Sequence, residues 1–376
     1  MFNFDNPPSR ANTYSFKWKK YEGKDIIPAW VADMEFECAS PILDAAQAEI
    51  STGALGYTLP DQYTPAKDAV KRWLADKHDW DVDADWIVWV PGVVPAFNVF
   101  CKAFSQPNSK VIVQAPNYPP LLAAPKLNGL ARQEVGTILV DGRWTLDFSE
   151  LETQAADPLC KQLILCNPMN PVGSVLNHAE LERIAQICER HDLILCSDEV
   201  HCDLILEPDI KHIPAGRLAS LKHRSVTLMA ASKTFNIAGL GTAFAIIPNK
   251  QIRQRFINAT MGMLPWVSKI GLVATEAAFT QCDNWHSALL EYLRGNRDLL
   301  VEQINAINGL SMVTPQATYL GWIDATGLGE KNVQQWAEQK GVGPSPGTDF
   351  NAPDFFRINY GCSRRMLESI VKRLGS

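Results

Sequence analysis

The sequence lacks the features of a membrane protein, a repeat protein or a secreted protein. No apolar stretch approaches the ~18 residues that a membrane-spanning helix needs. There is no internal repeat and no low-complexity linker. Residues 1–20, MFNFDNPPSRANTYSFKWKK, contain no basic-then-apolar leader with a small-residue cleavage site. We therefore expect a protein that is neither inserted into a membrane nor secreted.

An excess of positive charge is also missing. The formal net charge is −6, so we expect no overall attraction to nucleic acid or to an anionic membrane surface. One local basic cluster, FKWKK at residues 16–20, has acidic neighbours. We interpret that cluster as a solvated face of the protein.

The nine cysteines do not form a disulfide framework, because their spacing shows no pairs. Several lie in apolar runs such as LILCNP (163–168) and LILCSDEV (193–200), where a reduced cysteine behaves as a small hydrophobic residue. This usage indicates a reducing, cytoplasmic compartment. The segment CSDEVHC (196–202) lacks the second ligand cluster of a zinc site, and we predict no metal there.

What the sequence does contain is a series of short apolar runs. The chain has 376 residues, which favours two domains, and it is 46% apolar and 20% charged, as in ordinary globular proteins. The runs are continuous, which is typical of strands that are covered on both faces. They lie at residues 86–90, 110–114, 162–166, 193–197, 225–230 and 243–247.

Helical patterns separate several of these runs. Val70, Trp73 and Leu74 have the i, i+3, i+4 spacing of a buried stripe. Strands that alternate with helices predict an α/β fold in which a mostly parallel sheet is covered by helices on both faces. A second stripe, in residues 178–192, consists of Leu181, Ile184, Ala185 and Cys188.

The pattern of predicted strands and helices changes after about residue 280. A long helical pattern at 284–307 is followed by short strands around 317–324 and by helices at about 331–340 and 363–374. The first forty or so residues show no alternation of strands and helices. We therefore predict a large domain of residues 45–283 and a smaller α+β domain of residues 1–44 and 284–376.

Residues that could bind a ligand or take part in a reaction follow five of the predicted strands. Ligands of open α/β sheets bind beyond the carboxyl ends of the strands, and a lysine is rarely buried without a partner or a function. The strand at 86–90 leads into a Pro-Gly turn and a helix, which favours a phosphate. The other strands lead to Tyr118, to Asn167 and Asn170, to Asp198 and to Lys233.

One cofactor needs this combination of groups. Pyridoxal phosphate requires a lysine for its Schiff base and a carboxylate that keeps its pyridine nitrogen protonated. It also requires donors for its phenolic oxygen, an aromatic ring over its own ring and a site for its phosphate. The set at the strand ends therefore predicts a pyridoxal 5′-phosphate site.

These residues carry a family resemblance. The chain resembles the fold-type I pyridoxal-phosphate enzymes, the aspartate aminotransferase superfamily, over essentially its whole length. NPMNPVG, SDEVH and ASKTFNIAGLG occur in the order and spacing of that family. WVADMEFECASPI (30–42), GYTLPDQY (56–63) and SDEVHCDLIL most resemble the bacterial MalY/PatB carbon–sulfur β-lyases. The implied fold is aspartate aminotransferase-like.

The resemblance implies a role for each site residue. Lys233 would form the Schiff base and move the Cα proton, Asp198 would pair with the pyridinium nitrogen, and Arg357 would clamp the substrate carboxylate. Lys233, Asp198 and Tyr118 would be the catalytic residues. Asn170 would bind the phenolic oxygen and the substrate, and Tyr118 would stack on the ring. The phosphate would be bound by Gly92, Val93, Val94 and Ser232. Tyr57 would reach the phosphate and substrate of a neighbouring subunit, which implies a homodimer with shared active sites.

The sequence departs from the superfamily pattern at two positions. Three residues after the aspartate, where a tyrosine is common, it has His201, which could still bond the phenolic oxygen but leaves its protonation state open. After the lysine motif, where many aminotransferases have a phosphate-binding arginine, it has Gly241. The resemblance does not indicate what replaces that arginine.

The predicted function is α,β-elimination of L-cystathionine or a related cysteine thioether to pyruvate, ammonia and a thiol. The partner is a small amino-acid substrate, with neither nucleic acid nor membrane involved. Two alternatives stay open from the sequence. An aminotransferase would use the same residues, and a regulatory protein could use the same fold as a binding scaffold, although intact Lys233, Asp198 and Arg357 argue against a catalytically inactive protein.

Overall fold

Three sheets organise the protein, which is described by a computed structural model over residues 2–10 and 13–376. The six predicted strands are confirmed within two residues at each end. The described residues form fourteen strands: β1 Ile27–Pro28, β2 Ile87–Val90, β3 Lys110–Ala115, β4 Ala131–Val140, β5 Arg143–Leu146, β6 Cys160–Cys166, β7 Ile194–Asp198, β8 Ser225–Met229, β9 Ala243–Ile246, β10 Ser311–Met312, β11 Leu320–Asp324, β12 Val342–Gly343, β13 Ser345–Pro346 and β14 Phe355–Asn359.

The central sheet has eight strands in the order β2–β9–β8–β7–β6–β3–β4–β5. The strands from β8 to β4 pair in parallel, whereas β9 and β5 run antiparallel to their neighbours. Since β2 is antiparallel to β9, it points in the same direction as β8. The predicted mostly parallel sheet is confirmed, and the carboxyl ends of β2, β3, β6, β7 and β8 meet at one edge.

Helices cover both faces of this sheet. Val111, Val113 and Ile164 pack beneath one set of helices, whereas Ile112 and Leu163, on alternate positions, pack beneath the other. The continuous apolar runs therefore reflect burial on both faces. The described α-helices are α1 Phe16–Lys19, α2 Ser40–Ser51, α3 Thr64–His78, α4 Val93–Phe104, α5 Pro119–Leu127, α6 Phe148–Ala155, α7 His178–Arg190, α8 Lys250–Thr260, α9 Lys269–Gln281, α10 Asp283–Asn305, α11 Val333–Gln339 and α12 Arg364–Leu374.

Helix α7 illustrates how local sequence determines an element. The Asn177 side chain accepts from the Glu180 N–H at 2.9 Å, and the Glu180 carboxylate accepts from the Asn177 N–H at 2.8 Å. This capping box satisfies two donors at the start of the helix. The predicted stripe of α7 is buried, and so is that of α3.

Two smaller sheets lie outside the central one. Strands β10, β11, β14 and β13 form an antiparallel sheet, and β1 pairs in parallel with β12. The β1–β12 pair joins the N-terminal segment to the C-terminal part of the chain. The division into residues 45–283 and the remainder stays a prediction.

Two expectations from composition can be compared with the structure. All nine cysteines are free thiols, and eight of them are buried. None of the described helices combines the length and the apolar character that a bilayer crossing requires.

The interpretation of residues 16–20 as a solvated face is wrong for Lys17. Its side chain is only 1% exposed, and its Nζ lies 2.6 Å from Glu35 Oε1 and 3.8 Å from Asp33 Oδ1. The partners come from a segment about 16 to 18 residues further along the chain, which spacing within FKWKK does not indicate. Lys19 and Lys20 are exposed, as expected.

Candidate active site

The central sheet brings the predicted site residues to one edge. Because the carboxyl ends of parallel strands face the same way, residues that follow different strands become neighbours. At this edge Gly92, Val93 and Val94 follow β2, Tyr118 follows β3, Asn170 follows β6, Asp198 ends β7, and Ser232 and Lys233 follow β8.

Asp198 is a buried carboxylate with little compensation from the protein. It is 3% exposed, and within residues 2–10 and 13–376 its Oδ1 accepts only a long hydrogen bond, 3.3 Å, from the Val200 N–H. Burial raises the pKa of Asp198 to about 7, against opposing effects of the Val200 bond and the Lys233 ammonium. A carboxylate in such a place is adapted to a cationic partner that the protein itself does not supply.

Lys233 is the second charged group at this edge. Its Nζ donates to the Ala32 carbonyl oxygen at 2.7 Å, and it forms no ion pair among the described residues. Burial lowers the pKa of Lys233 to about 8; Asp33 and Asp198 oppose this effect, and Arg357 adds to it. Roughly one in ten of these amines is therefore uncharged at pH 7, which suits a nucleophile or a base.

Arg357 lies on β14 and reaches the site from the four-stranded antiparallel sheet. It is 4% exposed and donates from Nη1 to Asn170 Oδ1 at 2.8 Å and from Nη2 to the Trp30 carbonyl oxygen at 2.7 Å. Its Nε has no hydrogen-bond partner, and no carboxylate of the described residues pairs with it. Burial lowers the pKa of Arg357 to about 10. A buried guanidinium without a counterion favours an anionic ligand.

The loop that carries Asn170 depends on one glycine. Gly173 has φ +72°, and a Cβ at this position would collide with the Pro315 side chain and come within 3.1 Å of the Ala317 carbonyl oxygen. The Gly173 carbonyl accepts from the Gln316 and Ala317 N–H groups, each at 2.9 Å. The close approach fixes NPMNPVG against the chain that leads into β11, and thereby fixes Asn170 beside Arg357.

His201 answers the question of protonation that the sequence leaves open. It is 2% exposed, and its Nδ1 has no hydrogen-bond partner in the part of the chain that the structure describes. Burial, followed by the charges of Lys233 and Arg357, lowers the pKa of His201 to about 3. The imidazole is therefore neutral, and its unpaired nitrogen is available to a ligand.

Tyr118 immediately precedes α5, close to the same charges. Burial raises the pKa of its phenol; the Arg357 charge opposes this and the Asp198 charge adds to it. The phenol is therefore un-ionised near neutral pH.

The start of α4 forms a cluster of free N–H groups. The N–H groups of Gly92, Val93 and Val94 have no hydrogen-bond acceptor among the described residues. A Cβ at Gly92 would meet only Pro95 Cδ, at 3.5 Å, so packing within the chain does not require a glycine there. Gly241, with φ +57°, lies close by, since its Cβ would come 3.6 Å from the Pro91 carbonyl oxygen. This arrangement can bind a phosphate group.

Tyr57 is not brought to the other site residues within one subunit. Its side chain is 99% exposed, and its ring packs edge-on against Trp266 with 6.1 Å between the ring centroids. In a single chain it therefore contacts neither Lys233 nor Arg357.

Two features of the site were missed in the sequence. Residues 30–36 cross the site, so that the carbonyl groups of Trp30 and Ala32 accept from Arg357 and Lys233. Tyr319 is buried, and its hydroxyl donates to the same Ala32 oxygen at 3.0 Å. The WVADMEF motif was recognised from the resemblance, but only the folded chain shows that its backbone meets the two cations.

The CSDEVHC segment contributes to a buried group of possible metal ligands, His78, Cys202 and Asp203, the only such group in the described ranges 2–10 and 13–376. Asp203 Oδ1 accepts from His78 Nε2 at 2.8 Å and from Trp73 Nε1 at 3.0 Å. The carboxylate is thus satisfied within the protein.

Comparison with known proteins identifies the family. Residues 23–374 match the family model described as aminotransferase class I and II. The chain belongs to this family. The match covers all the strand ends of the site, so the site lies within the family's own fold.

Among curated relatives, cystathionine beta-lyase PatB of Bacillus subtilis is 35% identical over 384 residues, which cover 99% of this chain and 98% of PatB. Protein MalY of Escherichia coli is 31% identical and covers 100% of this chain and 98% of MalY. The predicted relationship to the MalY/PatB branch is therefore confirmed.

Solved structures agree with the fold. The crystal structure of OvoB superposes with a TM-score of 0.96 at 41% identity and covers 99% of this chain and 98% of OvoB. Cystalysin from Treponema denticola, whose structure contains a pyridoxal 5′-phosphate cofactor, gives a TM-score of 0.95 at 31% identity and covers 100% and 98% of the two chains. The aspartate aminotransferase-like α/β fold of the family is confirmed.

Proposed function

We propose that this protein is a pyridoxal-phosphate-dependent carbon–sulfur β-lyase. It takes L-cystathionine or a related cysteine thioether, breaks the Cβ–S bond and, with one water consumed, releases pyruvate, ammonia and a thiol. The names of PatB, cystathionine beta-lyase, and of its relatives support this reaction. The observation that carries the proposal is the set Lys233, Asp198 and Arg357, three charged groups at one edge without ion-pair partners among the described residues.

The donor set fits pyridoxal phosphate. The free N–H groups at the start of α4 suit its phosphate, and the poorly compensated Asp198 carboxylate suits a pyridinium nitrogen. The unpaired nitrogen of His201 and the Asn170 amide suit its phenolic oxygen. When bound, the cofactor supplies an electron sink for the negative charge that develops at the substrate Cα.

Lys233 would hold the cofactor covalently through Nζ and would afterwards move the Cα proton with the same atom. A pKa lowered to about 8 gives this amine a useful uncharged fraction near neutral pH. Asp198, in its ionised form, would hold the proton on the pyridine nitrogen. Tyr118 would stack on the ring from α5, and its un-ionised phenol adds no negative charge there.

Arg357 would bind the substrate α-carboxylate. Asn170 holds one arm of the guanidinium through Nη1, and the Trp30 carbonyl holds the other through Nη2. The unpaired Nε adds a donor for an incoming carboxylate. These contacts fix the plane of the guanidinium, so that the bound carboxylate sets the orientation of the Cα–H bond.

We further infer a homodimer with shared sites, in which Tyr57 serves the neighbouring subunit. Its full exposure, beside Trp266 at 60% exposure and Leu55 at 65%, supports an apolar contact surface around it. Tyr57→Ala and Lys233→Ala chains, each inactive alone, would regain about a quarter of the wild-type activity when mixed, because half the dimers then contain one intact site. No recovery in a mixture that exchanges subunits would exclude sharing.

The reaction is tested by following pyruvate from L-cystathionine with no 2-oxo acid present. We expect continuous pyruvate production by the cofactor-loaded protein. An aminotransferase would instead react once and resume only when a 2-oxo acid is added, and that result would overturn the lyase proposal. Lys250→Ala, which changes an exposed lysine at the start of α8, is the matched control and should retain full activity.

A further inference from the structure

The two cationic side chains of the site, Lys233 and Arg357, both donate hydrogen bonds to the backbone of one segment, residues 30–36, which we call the strap. Arg357 Nη2 donates to the Trp30 carbonyl oxygen and Lys233 Nζ to the Ala32 carbonyl oxygen, each at 2.7 Å. The two cations come from different sheets, since Arg357 lies on β14 and Lys233 follows β8. The strap therefore contacts cations that come from two different sheets.

On its inner side the strap is held by two asparagines. Asn359, on the same strand as Arg357, donates from Nδ2 to the Val31 and Asp33 carbonyl oxygens, each at 2.6 Å. Asn236, three residues after Lys233, accepts from the Met34 N–H at 2.9 Å and donates to the carbonyls of Met34 and Phe36. The inner contacts thus tie the strap to the elements that carry the cations.

On its outer side the strap is held by charges from the first twenty residues. Lys17 Nζ lies 2.6 Å from Glu35 Oε1 and donates to the Asp33 carbonyl oxygen at 3.3 Å. Arg10 Nη2 lies 2.9 Å from Asp33 Oδ2, and its Nη1 donates to the Met34 carbonyl oxygen at 3.1 Å. Two cations therefore face two carboxylates of the strap.

The Lys17–Glu35 pair is buried, with side chains 1% and 3% exposed. Glu35 Oε2 also accepts from Trp18 Nε1 at 2.9 Å. A buried ion pair is sensitive to loss of either partner, because the other charge then stays in a low-dielectric environment. Loss of Lys17 would displace Glu35 toward water and the strap with it.

We propose that Lys17, acting through Glu35, and Arg10, acting through Asp33, are positioning residues that hold the strap carbonyls against Lys233 and Arg357. This inference rests on the proposed lyase function for its kinetic consequences only. The contacts themselves join residues of this chain only. Neither residue touches the reacting atoms; both act through the strap.

The strap also contributes a charge to the site. The groups that face Lys233 are Asp33 from the strap, Asp198 from β7, Arg357 from β14 and the neutral His201. Of these groups, Asp33 has the largest effect in opposing the fall of the Lys233 pKa. Since Arg10 partly neutralises Asp33, the Arg10–Asp33 pair tunes the amine as well as placing the strap.

The first test compares Lys17→Met with Lys19→Met, which removes an exposed charge from the same helix. We expect kcat/KM for L-cystathionine to fall roughly 10- to 100-fold in Lys17→Met, through a lower kcat from Lys233 and a higher KM from Arg357. In the cofactor-free protein, hydrogen exchange of the peptide over 30–36 should rise, because the Met34 and Glu35 N–H groups are bonded only while the strap is in place. Lys19→Met should change none of these quantities.

The second test measures the pH at which Lys233 of the cofactor-free protein reacts half-maximally with a lysine-directed acylating reagent. Asp33→Asn should lower this midpoint, and Arg10→Met should raise it, since the first removes a negative and the second a positive neighbour. A purely structural role would not give opposite shifts. Both the exchange and the labelling readouts remain valid if the protein shows no lyase activity, so failure of the two proposals can be distinguished.

The proposal is overturned if Lys17→Met folds with unchanged exchange over 30–36 and unchanged kinetics. If Lys17→Met does not fold, Glu35→Gln replaces it, since this variant retains the side-chain shape and an acceptor for Trp18. Unchanged exchange in Glu35→Gln, or shifts of the Lys233 midpoint in the same direction in Asp33→Asn and Arg10→Met, would then overturn it.

Discussion

Lys17 is buried and Lys233 is half-buried, and the two lysines differ in the charges around them. The Lys17 ammonium lies within ion-pair distance of Glu35 and Asp33. Among the described residues the Lys233 ammonium has only the Ala32 carbonyl oxygen as a hydrogen-bond acceptor, and burial lowers its pKa to about 8. The charge of the buried lysine is compensated by the fold, whereas the half-buried lysine is available to a ligand.

The difference shows what distinguishes a structural buried charge from a functional one. A compensated pair such as Lys17–Glu35 fixes two segments relative to each other and needs nothing further. An uncompensated group such as Lys233 or Asp198 costs stability and is retained where it has a chemical function. Arg357 belongs to the second class, since its buried guanidinium has acceptors but no counterion.

The largest expected effect is that of removing the uncompensated lysine. Lys233→Ala should lower kcat/KM for L-cystathionine by about four orders of magnitude, because both the covalent link to the cofactor and the base for the Cα proton are lost. The stability of the cofactor-free protein should not fall, since a half-buried charge without an ion-pair partner among the described residues is removed. Pyruvate assays and chemical denaturation of this variant and of Lys250→Ala would measure both. Activity within tenfold of the wild type would contradict the assignment of Lys233.

Removing the compensated lysine, Lys17, should lower the stability of the protein, which removing Lys233 should not do. Lys17→Met leaves Glu35 buried without its cation, and the free energy of unfolding should fall by about 3 kcal/mol. Denaturation of the cofactor-free protein, compared with Lys19→Met, measures this difference. A stability loss as small as that of the exposed control would mean that Lys17 and Lys233 do not differ in the way described.

Arg357→Gln sharpens the comparison from the substrate side. The glutamine amide can still bond one acceptor but provides no charge for a carboxylate, so kcat/KM should fall roughly 100-fold. Most of the change should appear in KM. An Arg357→Lys variant would restore the charge but not the two-armed contact, and its KM should lie between those of Arg357→Gln and the wild type. Equal KM values for the two variants would show that charge alone plays no part.

Much of the fold followed from the sequence because burial on both faces leaves a simple pattern. The apolar runs that became β2, β3, β6, β7 and β8 were predicted, and so were the residues at their ends. The direction of β9 was not predicted, because an apolar run of five residues carries no information on strand direction. The hairpin β4–β5 was missed since its outer part is exposed, with Leu139 at 50% and Val140 at 45%.

The site was predictable where a single residue follows a strand, and not where the chain returns from a distance. The contacts between the strap and the two site cations join residues separated by about 200 to 330 positions, as between Ala32 and Lys233 or Trp30 and Arg357. No local pattern encodes them. The prediction that Lys17 is exposed failed although its partner Glu35 lies only about 18 residues further along the chain, because the spacing within FKWKK does not indicate that the two side chains pair. The chemical roles of the site residues stay predictions until variants are measured.

The smallest expected effect concerns Asp198, whose pKa burial raises from its ordinary value of 3.8 to about 7. A raised pKa means that the folded chain binds its proton more tightly than the unfolded chain does. The stability associated with this proton is therefore fully present below pH 3.8 and is lost as the pH rises through 7. At pH 8 the cofactor-free protein contains the carboxylate in its buried, ionised and unfavourable form.

Asp198→Asn removes this penalty, so the cofactor-free variant should be more stable than the wild type by about 2 kcal/mol at pH 8 and by less at pH 5. The gain is smaller than the pKa difference alone would give, because the new amide N–H groups have no assured acceptors. Denaturation at both pH values, at equal protein concentration, measures it. Added pyridoxal phosphate should reverse the order, since only the ionised aspartate can hold a proton on the pyridine nitrogen. An Asn variant that is less stable at pH 8 without the cofactor would mean that the carboxylate is compensated, and Asp198 would then belong with Lys17 rather than with Lys233.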